Sequence, residues 1–234
     1  MKFQFKHQKF QADAAKAVVD VFAGQPYLTP SYLMDRGYGQ QSVTDDTDFT
    51  GWRNERIVPE LSDKLILEHL QKVQRTNQIK PSDKLEGRYN LTIEMETGVG
   101  KTYTYIKTMY ELNKHYGWSK FIVVVPSIAI REGVYKSFQV TQDHFAEEYG
   151  KKIRFFIYNS AQLTEIDRFA LDSSINVWGN YPRPALPHIW ILPMTYCFTA
   201  SRPAAPYFLG SMVSGWVCST WQTAFVKAIR RSVA

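Results

Sequence analysis

The run Leu91-Thr-Ile-Glu-Met-Glu-Thr-Gly-Val-Gly-Lys-Thr102 constrains this chain more than any other segment. It reads as a short apolar strand, a glycine turn, and a helix opened by Lys101 and Thr102. Gly98 and Gly100 can take backbone angles that residues with a Cβ avoid. Main-chain N–H groups can then converge on an anion at the positive end of the following helix. Thr97, Gly98, Val99, Gly100, Lys101 and Thr102 are therefore the candidate residues for holding ATP. Lys101 would reach the β/γ-phosphates, the Thr102 hydroxyl would sit on Mg²⁺, and Thr97 would shape the loop. Glu96 is given no chemistry.

With Gly near 7% of residues, Gly-x-Gly-Lys-[Ser/Thr] arises by chance in roughly one chain in a hundred of this length. Context sharpens the match. After the turn, Tyr105, Ile106, Met109, Tyr110 and Leu112 recur at helical spacing. The bland alternative is a strand–turn–helix corner with a surface lysine. One departure is visible: the general phosphate loop has a glycine where Met95 stands.

An α/β rhythm runs on from there. The spacing predicts a helix over Thr102–Tyr116, stopped by Gly117, then an all-apolar strand Phe121–Val125, as a strand buried on both faces requires. Pro126-Ser127 leads into a helical stretch over Ile128–Tyr149, and Ile153–Tyr158 is another strand. Residues 160–171 are helical or irregular, and Ser174–Val177 begins a further strand. Such alternation implies a doubly wound parallel sheet, an α/β fold. Upstream, Phe10–Phe22 has a helical apolar face, and Ser62 can N-cap a helix reaching about Thr76. Residues 27–60 are turn-rich, with an acidic patch at Asp45, Asp46 and Asp48, and read as an insertion or a poorly ordered lid. Lys80–Gly87 is a polar connector. The chain thus divides into an N-terminal region 1–89, a sheet domain 90–177 and a tail 178–234.

The tail stands apart in composition. The net charge is +6 at pH 7, which invites a nucleic-acid reading. Residues 1–177, however, carry 23 of the 28 basic residues and all 22 acidic ones, so their charges nearly cancel. Residues 178–234 have no Asp or Glu, yet hold both cysteines (Cys197 and Cys218), four of six Trp and six of eleven Pro. Two lone cysteines give neither a metal spacing nor a disulfide framework. Their absence from the body, and the absence of a signal-peptide pattern, suit a cytoplasmic location. So abrupt a break fits a reading frame shifted after about codon 177, leaving a tail outside the fold. The alternative is a membrane segment: Tyr207–Val226 has 20 residues without charge and a positive flank. Gly210, Gly215 and Gln222 make that span a poor one, and a membrane association is not expected.

Three pieces together resemble the Res subunit of type III restriction enzymes, a superfamily 2 helicase-like P-loop ATPase: Phe10-Gln-x-x-Ala14, Glu94–Thr102, and Val123-Val-Val-Pro-Ser-Ile-Ala-Ile-Arg-Glu-Gly133. The resemblance covers residues 1–177. It implies part of a RecA-like domain, an ATP-dependent translocase on double-stranded DNA coupled to endonucleolytic cleavage, and a modification (methyltransferase) subunit as partner. It also implies a role for Gln11, whose amide can donate and accept at once and so match the N6 and N7 edge of adenine. A solvated helix glutamine is the competing reading. Pro126, Ser127 and Arg131 match the motif that lies along the nucleic-acid backbone in such motors, although for an isolated serine like Ser127 a helix N-cap is the commoner role.

The resemblance also shows what is missing. Phosphoryl transfer to water needs an acidic residue on Mg²⁺ and another to orient the water. The family places an Asp-Glu pair there, and no Asp-Glu dipeptide occurs in this chain. Glu147-Glu148 follows a helical stretch, and Glu165 and Asp167 lie in a polar segment. The expectation is an N-terminal fragment that by itself binds ATP weakly and neither hydrolyses it nor cuts DNA, with no catalytic residue identifiable. Alternatives are another superfamily 2 motor, or a non-catalytic chain, either a truncated product or a membrane-tethered module.

Overall fold

The computed structural model describes residues 5–33, 51–85, 90–96, 98–125, 127–157, 164–180, 190–193 and 225–229. Helix α1 (Lys9–Val21) comes first, followed by the short antiparallel pair β1 (Ser31–Leu33) and β2 (Gly51–Arg53). Helix α2 (Asp63–Thr76) precedes an alternating series: β3 (Asn90–Glu94), α3 (Lys101–Tyr116), β4 (Lys120–Val124), α4 (Ile128–Tyr149), β5 (Ile153–Ile157), α5 (Thr164–Leu171) and β6 (Ile175–Asn180). Two more strands, β7 (Trp190–Pro193) and β8 (Phe225–Ile229), complete the described elements.

The helices begin and end where the sequence places their signals. Ser62 Oγ accepts a hydrogen bond from Leu65 N, capping α2, and Ser127 Oγ accepts one from Ile130 N, capping α4. Gly117 and Gly150 terminate α3 and α4 in the left-handed conformation, each N–H closing back on the last turn.

The large sheet has the order β3-β8-β7-β4-β6-β5. Strands β3 and β8, β4 and β6, and β6 and β5 pair in parallel, whereas β7 runs antiparallel to both its neighbours. Right-handed crossovers put α3 and α4 on one face and α5 on the other. Side-chain alternation agrees with this. Phe121, Val123, Val125, Ile153, Ile175 and Val177 join one core with Tyr105, Ile106, Met109, Val134, Phe138 and Phe145 from α3 and α4. On the opposite face Phe156, Phe169 and Trp178 pack edge and face. Lys120 is wholly buried on that side, where Nζ donates to the carbonyls of Phe169 and Asp172 at the end of α5. These residues form a partial RecA-like P-loop fold, doubly wound around a largely parallel sheet.

Helix α1 packs on α3 through Val18, Val19 and Phe22, and Tyr116 Oη donates to Val19 O. Two buried amides fasten the segment between β2 and α2. Asn54 Oδ1 accepts from Ser119 N and Lys120 N while its Nδ2 donates to Lys120 O. Gln25 bridges Arg56 O and Val58 N.

Two expectations change. The stretch 27–60 is not simply a loose insertion: its described part is anchored to the start of β4, because buried Asn54 satisfies main-chain groups that a loop would otherwise strand. The acidic patch at Asp45, Asp46 and Asp48 lies outside the described residues. The boundary at 177 also moves. Strand β6 continues through buried Trp178 to Asn180, and β7 and β8, from the segment expected to stay out of the fold, fill the sheet between β3 and β4. The reason is local. Trp190-Ile-Leu-Pro193 and Phe225-Val-Lys-Ala-Ile229 are strand-forming whatever their origin, and β3 and β4 have ladder groups to satisfy. Most of Tyr207–Val226 lies outside the described residues, and no described helix is long and apolar enough to cross a membrane.

Candidate nucleotide-binding site

The loop from β3 to α3 has the backbone its glycines suggest. Gly98 and Gly100 sit at φ +87° and +85°, the left-handed region that glycine enters without strain. Gly100 is the N-cap of α3, and no side chain caps that end. The first-turn N–H groups thus have no serine or aspartate side chain as acceptor, and they lie at the positive end of the helix dipole. Lys101 and Thr102 open the helix, partly exposed, on the loop side. Thr104 Oγ1 donates to Gly100 O, closing the first turn. Thr97 and Pro126 lie outside the described residues. Val99 is partly exposed between the two glycines.

Gln11 reaches this loop from α1, across 88 positions of sequence. It is almost buried, and its Nε2 donates to Val99 O at 2.9 Å. A Cβ at Gly100 would stand 2.6 Å from that same Nε2, so the end of the Gln11 side chain would have to move to admit one. The structure therefore brings Gln11 and residues 98–102 into one site. Its amide is engaged with the loop backbone, a contact that the sequence did not suggest.

Ser127 and Arg131 lie at the start of α4, beyond the C-terminal end of β4. Ser127 is an N-cap in extended backbone conformation, with its hydroxyl on Ile130 N. The Arg131 guanidinium is held by the adjacent Glu132 carboxylate at 2.9 and 3.2 Å. Both are engaged locally, and both side chains are partly exposed. Beside them Ile128 and Ile130 are exposed.

The carboxylates weighed from the sequence are elsewhere. Glu148, on α4, is paired with the buried Lys107 of α3. Glu165 and Asp167 belong to α5, on the far face of the sheet. Sequence reading missed the Lys107–Glu148 pair and the aromatic seam around it, where Tyr103, His144, Phe145, Tyr110 and Tyr149 stack between α3 and α4. Burial, and then the Glu148 charge, push the Tyr103 phenol up to about 12, so it stays neutral. The spacing of His144 and Glu148 was visible as an i, i+4 pair, but nothing in one sequence says what faces it. A hollow of about 250 Å³ lined by Tyr27, Asn113, Lys114 and Lys151 lies at the C-terminal end of α3, the end away from the glycine loop.

A strand, a glycine loop with two left-handed residues, and an uncapped helix opening on Lys-Thr define a P-loop fold of the RecA-like kind. Comparison with known sequences narrows the class. Residues 56–173 match the family model "Type III restriction enzyme, res subunit", and the chain belongs to that family. Among curated proteins it is 36% identical over 104 residues to the type III restriction-modification enzyme EcoP15I Res subunit of Escherichia coli. It is 35% identical over 104 residues to the EcoPI Res subunit of Escherichia phage P1. Each alignment covers 43% of this chain and 11% of the relative. The StyLTI Res subunit of Salmonella typhimurium is 41% identical over 69 residues, 29% of this chain and 7% of that protein. The chain thus spans about a tenth of the length of the curated relatives it matches.

Proposed function

We propose that this chain is the ATP-binding part of a helicase-like motor from a type III restriction endonuclease, and that it holds ATP–Mg²⁺ between Gln11 and the loop Thr97–Thr102. The observation that carries the reading is the glycine loop itself. Two left-handed glycines and an uncapped helix N-terminus form an anion cradle, and Lys101 is the cation at its mouth. Gln11 supports it, because its amide already lies at the loop and is placed to exchange Val99 O for the edge of a base. Thr102 supplies the hydroxyl for Mg²⁺.

In the parent assembly the motor would translocate on double-stranded DNA and act with a modification subunit that reads the site. Ser127 and Arg131 are the positions for the DNA backbone; to serve there, Arg131 must exchange Glu132 for a phosphate. The chain by itself does not turn ATP over. Strand β8 runs parallel to β3, with Ile229 beside Glu94, so its C-terminal end emerges next to the phosphate loop. The sequence after β8, Arg230 to Ala234, has no carboxylate, and no Asp-Glu dipeptide occurs in the chain to hold Mg²⁺ and orient the water.

Thermal unfolding with and without ATP–Mg²⁺ tests the site. Ligand at about 100 times Kd should add roughly 2.7 kcal/mol to the wild-type chain and nothing to Lys101→Ala. Equal stabilisation of both would remove the phosphate site. A Lys101-dependent release of phosphate would overturn the claim that the chain binds without hydrolysis.

A further inference from the structure

We propose that His7, His144 and Glu148 form a binding site for a borderline divalent metal ion, Zn²⁺ by their chemistry, that clasps the N-terminal segment onto α3 and α4. His144 and Glu148 are four residues apart on α4 and so share one face of the helix. His7 reaches the same point from the segment preceding α1, and its ring lies 5.5 Å from that of His144. One donor atom from each of the three falls within 4.8 Å of the other two. A tetrahedral ion with bonds of about 2.0–2.2 Å sets its ligands roughly 3.4 Å apart. The remaining contraction is within reach of side-chain rotation, since His7 is exposed and the carboxylate is not enclosed.

The surroundings orient these donors. Lys107 holds Glu148 Oε1, which leaves Oε2 facing His144 Nε2 at 3.9 Å. That is how a supporting residue positions a metal-binding carboxylate. Tyr103 Oη lies 2.8 Å from His144 Nε2 and competes for it only as a neutral hydroxyl, which an ion displaces. Glu147 also acts on His144, beside Glu148, with Lys107 and His7 opposing the two carboxylates. Two imidazoles and a carboxylate suit Zn²⁺, Co²⁺ or Ni²⁺, whereas Mg²⁺ and Ca²⁺ prefer oxygen alone. Three protein donors leave one position for water.

The site has a structural consequence. His7 precedes Gln8, the N-cap of α1, and Gln11 follows within one turn. Phe5 already packs on Tyr103 and His144. An ion there fixes the start of α1 and thereby the approach of Gln11 to the loop. The binding itself does not depend on the nucleotide reading.

The test uses the full chain, stripped of metal with a chelator and then titrated with ZnCl₂ by calorimetry and with CoCl₂ by visible absorption. One ion per chain is expected, with a tetrahedral cobalt spectrum free of thiolate charge transfer. His7→Asn, His144→Asn and Glu148→Gln should each weaken binding at least about tenfold, and His115→Asn should not. Zn²⁺ should slow hydrogen exchange over residues 5–12 in the wild type and leave His7→Asn unchanged. His7 is exposed, so its variant folds and decides the matter if the helix variants do not. Failure to bind, equal binding by wild type and His7→Asn, or a thiolate band placing the ion on Cys197 or Cys218 would each overturn the proposal.

Discussion

Gly100 carries two demands at one Cα: a φ of +85° and a neighbouring amide where a Cβ would go. A non-glycine residue in that backbone region costs on the order of 1–3 kcal/mol. Gly100→Ala should therefore lower the unfolding free energy by about that amount in a urea titration. The collision with Gln11 adds to it. Gln11→Ala in the Gly100→Ala background should recover part of the loss, whereas the φ penalty stays. Asp172 makes a second argument at this scale. Burial alone would raise its pKa, but the N–H and hydroxyl of Ser174, with the charges of Arg154 and Lys120, more than offset that and hold it below the usual range. The Arg154 side chain is two-thirds exposed, so the ion pair is the weaker partner and the Ser174 hydrogen bonds the stronger. The native pKa lies below the unfolded one. The stabilisation is therefore present above pH about 4 and lost as pH falls through the native pKa. Asp172→Asn should flatten the acid limb of the stability–pH curve while leaving its slope near neutrality unchanged.

Between α3 and α4 the packing is aromatic. Phe145 is fully buried and touches the rings of Tyr103, Tyr110, His144 and Tyr149. Phe145→Ala should cost about 3–5 kcal/mol by denaturant unfolding. Ser62→Ala, which removes only the cap of α2, should cost about 1. The contrast shows which parts of the fold were legible in the sequence. Apolar spacing, caps and terminating glycines are local, so α1, α2, α3, α4 and the strands from β3 to β6 could be placed to within a few residues. The glycine loop was legible for the same reason: its residues lie side by side in the chain. Contacts between distant segments were not. Nothing near Gln11 announces Val99, nothing near Asn54 announces Ser119 and Lys120, and nothing near Lys107 announces Glu148. Those pairings follow from how α1 and α4 lie against α3, which one sequence does not state. Ser127 shows the converse. Its capping role was local and visible, and a contact with DNA needs a partner that no intramolecular distance reveals.

At the scale of the whole molecule, the question is what supports the glycine loop after β3. Strand β3 stands at the edge of the sheet, and β8 is its partner along all five residues. β7 then joins β8 to β4. Both of these strands come from the segment that lacks Asp and Glu entirely. Composition alone makes that segment foreign to the fold, whereas the ladder makes it the support of the loop. The two views predict different behaviour for a chain ending at Asn180. If the ladder matters, removing β7 and β8 leaves β3 with unpaired N–H and C=O groups and opens the side of β4, inviting edge-to-edge association. The shortened chain should then melt at a lower temperature, gain less stability from ATP–Mg²⁺, and sediment as aggregates at concentrations where the full chain does not. Far-ultraviolet circular dichroism should still report α3 and α4, whose shared core with β4, β5 and β6 remains. An unchanged melting temperature with full nucleotide stabilisation would mean that β3 closes directly on β4, and that residues after Asn180 contribute nothing to the site.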